Sequence, residues 1–184
     1  MDVATGITLG SLIIAFASAL YARYAWSTAR MAMAQQAMMS VLLEYRSGEM
    51  MDAVLTLCDF RRDNPGDIMA TQYNEIRERD LKALRAAAPG ARVALVTTTL
   101  DFKRRLVSHF YAYMAHLVES EILPKKICYA AWSKKDLEII PEILVPLETR
   151  PGKGRDTGES AVLPSLQRLY DEAPAGAKDH CRSK

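Results

Sequence analysis

The sequence predicts an all-α protein: an N-terminal transmembrane helix that continues into a cytoplasmic helical bundle. Three observations carry this expectation. No Asp, Glu, Lys or Arg stands between Val3 and Ala22, and at 1.5 Å per helical residue such a run reaches roughly 30 Å, the thickness of a bilayer's hydrocarbon core. Neither Gly nor Pro occurs from Ser11 to Ser47, so a helix that crosses lipid has no reason to stop at its surface. Beyond Ser47 the apolar residues recur at helical spacing, and the one β-rich stretch, Val93 to Leu100, has no second strand to pair with.

The first helix has a direction. Its N-terminal flank is Met1-Asp2, and the first basic residues, Arg23 and Arg30, follow the apolar run. A secretory signal peptide would carry its positive charge ahead of the run. By the positive-inside rule the N-terminus faces out and the remainder faces the cytoplasm. Tyr21, Arg23, Tyr24, Trp26 and Arg30 gather at the inner end as interface anchors. The run is only moderately apolar, because Gly6, Gly10, Thr5, Thr8, Ser11 and Ser18 dilute it. Ser11, Ala15, Ser18 and Ala22 step by helical intervals, and Gly6 and Gly10 make a small-xxx-small pair. Together they form a face on which another membrane helix could pack closely.

The remaining elements follow in order. Ala34, Met38, Leu42 and Tyr45 give the continuing rod an apolar stripe. Ser47 caps a helix running to about Arg62, with Met51, Val54, Leu55 and Cys58 expected inside. Asn64-Pro-Gly-Asp67 is a turn, and a charged helix runs from about Met69 to Ala87, laced by Glu75/Arg79 and Glu78/Lys82 pairs. One long central helix is expected from Arg92 to Glu121, with Leu106, Phe110, Tyr113 and Leu117 inward and Val107, Tyr111, Met114 and Val118 beside them. A short helix from Lys125 to Ala131 follows Pro124. Ser133 and Asp136 then open a last helix with Leu137, Ile140, Leu144 and Leu147 inward, which Pro141 must break or kink. From Arg150 the composition turns to linker type, and Leu163 to Glu172 can form one short helix. The expected organisation is an anchor over 1–24, a bundle over 25–149 whose first part, 25–46, is a juxtamembrane helix, and a flexible tail over 150–184.

Composition excludes several roles. A net charge of +2 gives no electrostatic argument for nucleic acid. The three cysteines, Cys58, Cys128 and Cys181, lack metal-site or disulfide spacing. No phosphate loop, HExxH or GxSxG motif is present. His109 and His116 are seven apart, roughly 10 Å along a helix, too far to share one zinc through adjacent turns. Lys103-Arg-Arg105, Lys125-Lys126 and Lys134-Lys135 are short basic clusters with acidic neighbours. No catalytic residue, metal or cofactor is assigned. Methionines crowd the rod at positions 31, 33, 38, 39, 50 and 51; of these Met31, Met33, Met38 and Met39 are expected to meet a protein partner, as adaptable methionine surfaces do.

Two stretches carry a resemblance: Leu42 to Phe60, placed directly after the anchor, and Arg104 to Leu123 followed by Trp132 and Ile143 to Glu148. They resemble bacterial single-span membrane-anchored proteins with a small helical domain of unknown function. The resemblance implies an all-helical fold and brings no catalytic residues. The expected role is association at the inner (cytoplasmic) membrane: an accessory or assembly subunit of a larger membrane complex, or a homo-oligomer. Its partners would be the bilayer and a protein or itself; a small-molecule ligand is undetermined. The alternative is a membrane-tethered enzyme or effector using the His109/His116 face.

Overall fold

A computed structural model describes residues 3–149 and 162–175; the side chains of residues 3–11 and of Ile13 lie outside the described set. Every regular element among the described residues is helical. In order these are α1 (Val3–Tyr45), α2 (Gly48–Asp63), α3 (Ile68–Ala86), α4 (Pro89–Thr98), α5 (Leu100–Glu119), α6 (Lys125–Ala131), a π-helical turn (Ile140–Leu144), α7 (Val145–Glu148) and α8 (Leu163–Asp171).

α1 is one unbroken helix, as the absence of interior Pro predicts, and at 43 residues it spans about 65 Å. It meets the bundle first at the turn after α5, through Arg30 and Glu121, and then along its C-terminal third. Ala34 and Val41 are buried, and Ala37, Met38, Leu42 and Tyr45 pack half-buried against the core. These positions recur at three- and four-residue steps, so one face docks while the rest of α1 stands clear.

α5 is the hub, packed against α2 and α8 and also meeting α1, α3 and α4. Val107, Tyr111, Met114 and Val118, expected as a flanking row, form its innermost line. Phe110 and Leu117 join them, whereas Leu106 is half-buried and Tyr113 is 48% exposed. Tyr45 meets Phe110 and Trp132 at ring-centroid distances of 5.7 and 6.2 Å, tying the end of α1 to the core. Leu137, Ile140, Leu144 and Leu147 are inside, as their spacing predicts.

Four expectations need correction. The helix expected from Arg92 to Glu121 is two helices, divided at Thr99 with φ −73° and ψ 146°. The hydroxyls of Thr97, Thr98 and Thr99 each donate to the carbonyl three residues back, closing α4, while Thr99 Oγ1 also accepts from Phe102 N and opens α5. On α2 the buried face is Met50, Ala53 and Leu57. Met51 and Leu55 are 40% and 58% exposed, and Cys58 is exposed. α2 is thus turned by about one residue, or 100°, which places the small Ala53 where close approach to α5 is needed. The expected Glu75/Arg79 and Glu78/Lys82 pairs do not form among the described residues; Arg79 lies 3.7 Å from Asp80 instead. Finally, α8 is no free tail. Leu163, Leu166 and Leu169 are buried, and Lys134 N donates to Pro174 O at 3.0 Å. The linker over 150–161 and the end over 176–184 lie outside the described residues.

Pro141 does not simply end a helix. It sits in the first turn of the π-helical segment, and Pro146 sits in the first turn of α7. Two residues without an N–H, five apart, leave the intervening carbonyls free to accept from one residue further along.

Candidate functional site

The expected interaction residues divide along α1. Described side chains from Leu12 to Met33 are all exposed. The large apolar ones include Leu12 at 68%, Phe16 at 66%, Tyr21 at 75%, Tyr24 at 71% and Trp26 at 73%. Ala15, Ser18, Ala22, Arg23 and Arg30 share this free surface. Gly6, Gly10 and Ser11 lie outside the residues whose side chains are described. Met31, Met33 and Met39 are 52–59% exposed, but Met38 packs against the core, so the expected methionine surface loses one member. Among the described residues no helix is long and apolar enough to cross a membrane; half of the charge-free run from Val3 to Ala22 falls on undescribed side chains.

Trp26 and Met33 line a mainly apolar hollow of about 340 Å³ between α1 and the turn that joins α5 to α6. Arg30 Nη2 donates to Glu121 Oε2 at 2.5 Å across its mouth. Glu121 takes a left-handed φ of 57°, a conformation usually left to glycine.

A cleft of about 580 Å³ lies at the far side of the bundle, between α2, the Pro65–Gly66 turn and the π-helical segment. Its apolar floor is Val54, Ile139, Ile143 and the two phenols Tyr45 and Tyr111. An Arg61–Glu142 ion pair joins α2 to the π-helical segment here. Burial, followed by the neighbouring Tyr45 phenol, pushes the Tyr111 hydroxyl far above its usual range. Burial, with Asp59 second, also raises the Cys58 thiol, so it is held protonated rather than activated.

Sequence reasoning missed a buried ionic network. Arg104 and Glu148 are 3% and 6% exposed and bonded to each other through Nη1 and Oε1. Arg104 Nε donates to Tyr73 Oη at 2.6 Å and its Nη2 to Asp101 Oδ1 at 3.1 Å, and Tyr73 in turn donates to Asp101. Arg105 reaches Asp101 Oδ2 at 3.0 Å, and Arg77 Nε stands 3.7 Å from Oδ1. Burial pushes the Asp101 carboxyl up, but the Tyr73 hydrogen bond and the charges of Arg104 and Arg105 outweigh it and hold it below the usual range. Burial alone would lower the Arg104 guanidinium; Tyr73, Glu148 and Asp101 more than reverse that. The network ties α3, α5 and α7 together. Only position 104 in the Lys103-Arg-Arg105 cluster could have betrayed it, three residues before Val107 on the inward line.

His109 and His116 stand on the exposed face of α5 and border neither the cleft nor the hollow. Glu119, on the same face, is held by Arg168 at 3.2 Å. No group of three or more His, Cys, Asp or Glu side chains that could hold a metal occurs among the described residues. Comparison with protein-family models, with curated proteins and with solved structures returned no match.

Proposed function

We propose that the protein is a membrane-anchored helical interaction protein, working as an assembly or accessory subunit of a membrane complex or as a homo-oligomer. The observation that carries this reading is the free part of α1. From Leu12 to Met33 it offers large apolar side chains, more than half exposed in most cases, to whatever surrounds it. An isolated helix of this composition has no partner in the described chain to cover it. Burying such surface is favourable by roughly 25 cal/mol per Å², so lipid, another helix or both would occupy it. The charge-free run with its aromatic and basic border favours lipid over Val3 to Ala22. The exposed Met31, Met33 and Met39 further along favour a protein contact outside the lipid. The bacterial inner membrane, with the N-terminus out and the bundle in the cytoplasm, is the placement that fits Arg23 and Arg30.

The test is extraction in a mild detergent followed by mass measurement of the intact particle. A particle heavier than one 20.5 kDa chain plus detergent, reduced to a single chain by Met31→Asp with Met39→Asp, supports association. A lone chain in both cases overturns it. Recovery of the unaltered protein in the soluble fraction after alkaline carbonate treatment overturns the anchor.

A further inference from the structure

The turn between α5 and α6 spends conformational energy for a contact. An L-residue in the left-handed region is strained relative to the right-handed one, and glycine would avoid that. Glu121 stands there instead, and its carboxylate reaches Arg30 on the rod. The turn is thereby held at the level of Arg30, with Ile122, 39% exposed, bordering the same hollow as Trp26.

Distances along α1 say where that level is. Taking Ala22 as the inner end of the charge-free run, Trp26 lies about 6 Å and Arg30 about 12 Å further along the axis. The headgroup layer on each side of the hydrocarbon core is roughly 5–8 Å thick. Trp26 therefore stands among headgroups and Arg30 roughly 4–7 Å beyond them, and Ile122, which borders the same hollow as Trp26, reaches toward the same surface from the turn clamped to Arg30. The charges here match anionic phosphate. Lys125 and Lys126 open α6 directly after the turn, both exposed. Of the acidic groups nearby, Glu121 is paired with Arg30, Glu172 with Lys125 at 2.9 Å, and Glu119 with Arg168. Arg23 and Lys126 have no ion-pair partner among the described residues.

We propose that the α5–α6 turn is a second membrane contact. Ile122 and Trp26 seat among phospholipid headgroups, and Arg23 and Lys126 face the phosphates of anionic lipids, so that the bundle lies on the bilayer instead of hanging below it. This rests on the anchor reading above. The partner is the lipid surface itself, at a place separate from the spanning segment.

Spin labels on the full chain test it, after Cys58→Ser, Cys128→Ala and Cys181→Ser and a check that helicity is kept. Labels replace Leu12, Ile122 and, as the aqueous reference, Thr71. Thr71 is exposed on α3, whose Tyr73 bonds Asp101 at the opposite end of α5, about 30 Å from the turn. The protein is placed in phosphatidylcholine vesicles with and without phosphatidylglycerol. The Leu12 label is expected deep in lipid. The Ile122 label should be several-fold less accessible to a water-soluble relaxation agent than the Thr71 label, and more so with phosphatidylglycerol. Equal accessibility at Ile122 and Thr71, with Leu12 in lipid, overturns the second contact and leaves the anchor standing. A Leu12 label open to water overturns the anchor and the contact with it. In the cysteine-containing protein, Ile122→Asp should speed amide exchange across 120–127 several-fold in vesicles; an unchanged rate counts against the contact.

Discussion

The free half of α1 and the centre of the bundle are built inside out with respect to each other. On α1, Leu12 and Trp26 are 68% and 73% exposed; at the meeting of α3, α5 and α7, Arg104 and Glu148 are 3% and 6% exposed. Large apolar side chains are more often found inside a fold, and charged ones are buried only when paired. The bundle tolerates its buried charge because every formal charge has a partner: Arg104 binds Glu148, Asp101 and Tyr73. The rod has no such internal compensation. Its large apolar groups from Leu12 to Trp26 stay exposed among the described residues. The polar groups of the bundle thus find partners within the chain, whereas the apolar surface of α1 does not.

Breaking the buried network should have the largest effect. Arg104→Ala leaves Glu148 unpaired at 6% exposure and is expected to destabilise the bundle by about 3–5 kcal/mol in urea unfolding. Arg104→Met combined with Glu148→Leu should recover most of that loss, because no buried charge is then left alone. If the double variant were as unstable as the single one, the pair would be contributing something other than mutual neutralisation.

The register of α2 comes next. Leu57→Ala is expected to cost about 2–5 kcal/mol, since the side chain is fully buried. Leu55→Ala, two residues away and 58% exposed, should fall within about 0.5 kcal/mol of the parent. Equal losses at both positions would return α2 to the orientation its apolar pattern predicts.

Acid titration gives a smaller effect with a definite sign. The Asp101 carboxyl is held below its ordinary value in the folded protein. The stability it contributes is present above the unfolded value near 3.8 and is lost as pH falls through the lower folded value. Urea midpoints measured downward from pH 5 should drop, and Asp101→Asn should flatten that part of the curve. The smallest effect belongs to Glu121→Gly. Relief of the left-handed backbone stabilises and loss of an exposed ion pair removes little, so a net gain below about 1 kcal/mol is expected in thermal unfolding. The same substitution frees the rod from the turn, and this separates the mechanical role of Glu121 from its energetic one.

The sequence made some of this legible and hid the rest for identifiable reasons. Local rules were readable: Ser47 accepts from Met50 N as an N-cap, and α6 starts directly after Pro124. Asp136 accepts from Ser133 N as expected, but the pair opens a run of turns and not the last helix, whose π-helical segment begins at Ile140. The division at Thr99 was hidden because the β-rich stretch Val93 to Leu100 was assigned to helix only for want of a strand to pair with, and the three threonine hydroxyls turning back on α4 break it there. The rotation of α2 was hidden because Met50/Ala53/Leu57 and Met51/Val54/Leu55 are overlapping stripes, and nothing local chooses between them. Arg104 looked like one more member of a surface cluster, since its partners Tyr73 and Glu148 are 31 and 44 residues away. Of the α1 residues named from the sequence for contact, the described ones are exposed apart from Met38, which also belongs to the apolar stripe and packs against the core.

The π-helical turn at Ile140–Leu144 holds one residue more than an α-helical turn of the same rise. The surplus residue is taken up inside the turn, so the chain leaves it in the phase an α-helical turn would have given. Rewinding the turn to α geometry without removing a residue would swing everything after it by about 100°. Glu148 would then point away from Arg104, and Leu147 would leave the interior. The widened turn acts as a phase adjuster that aims one carboxylate across the bundle, and loss of its extra residue is the one change of length the segment can absorb.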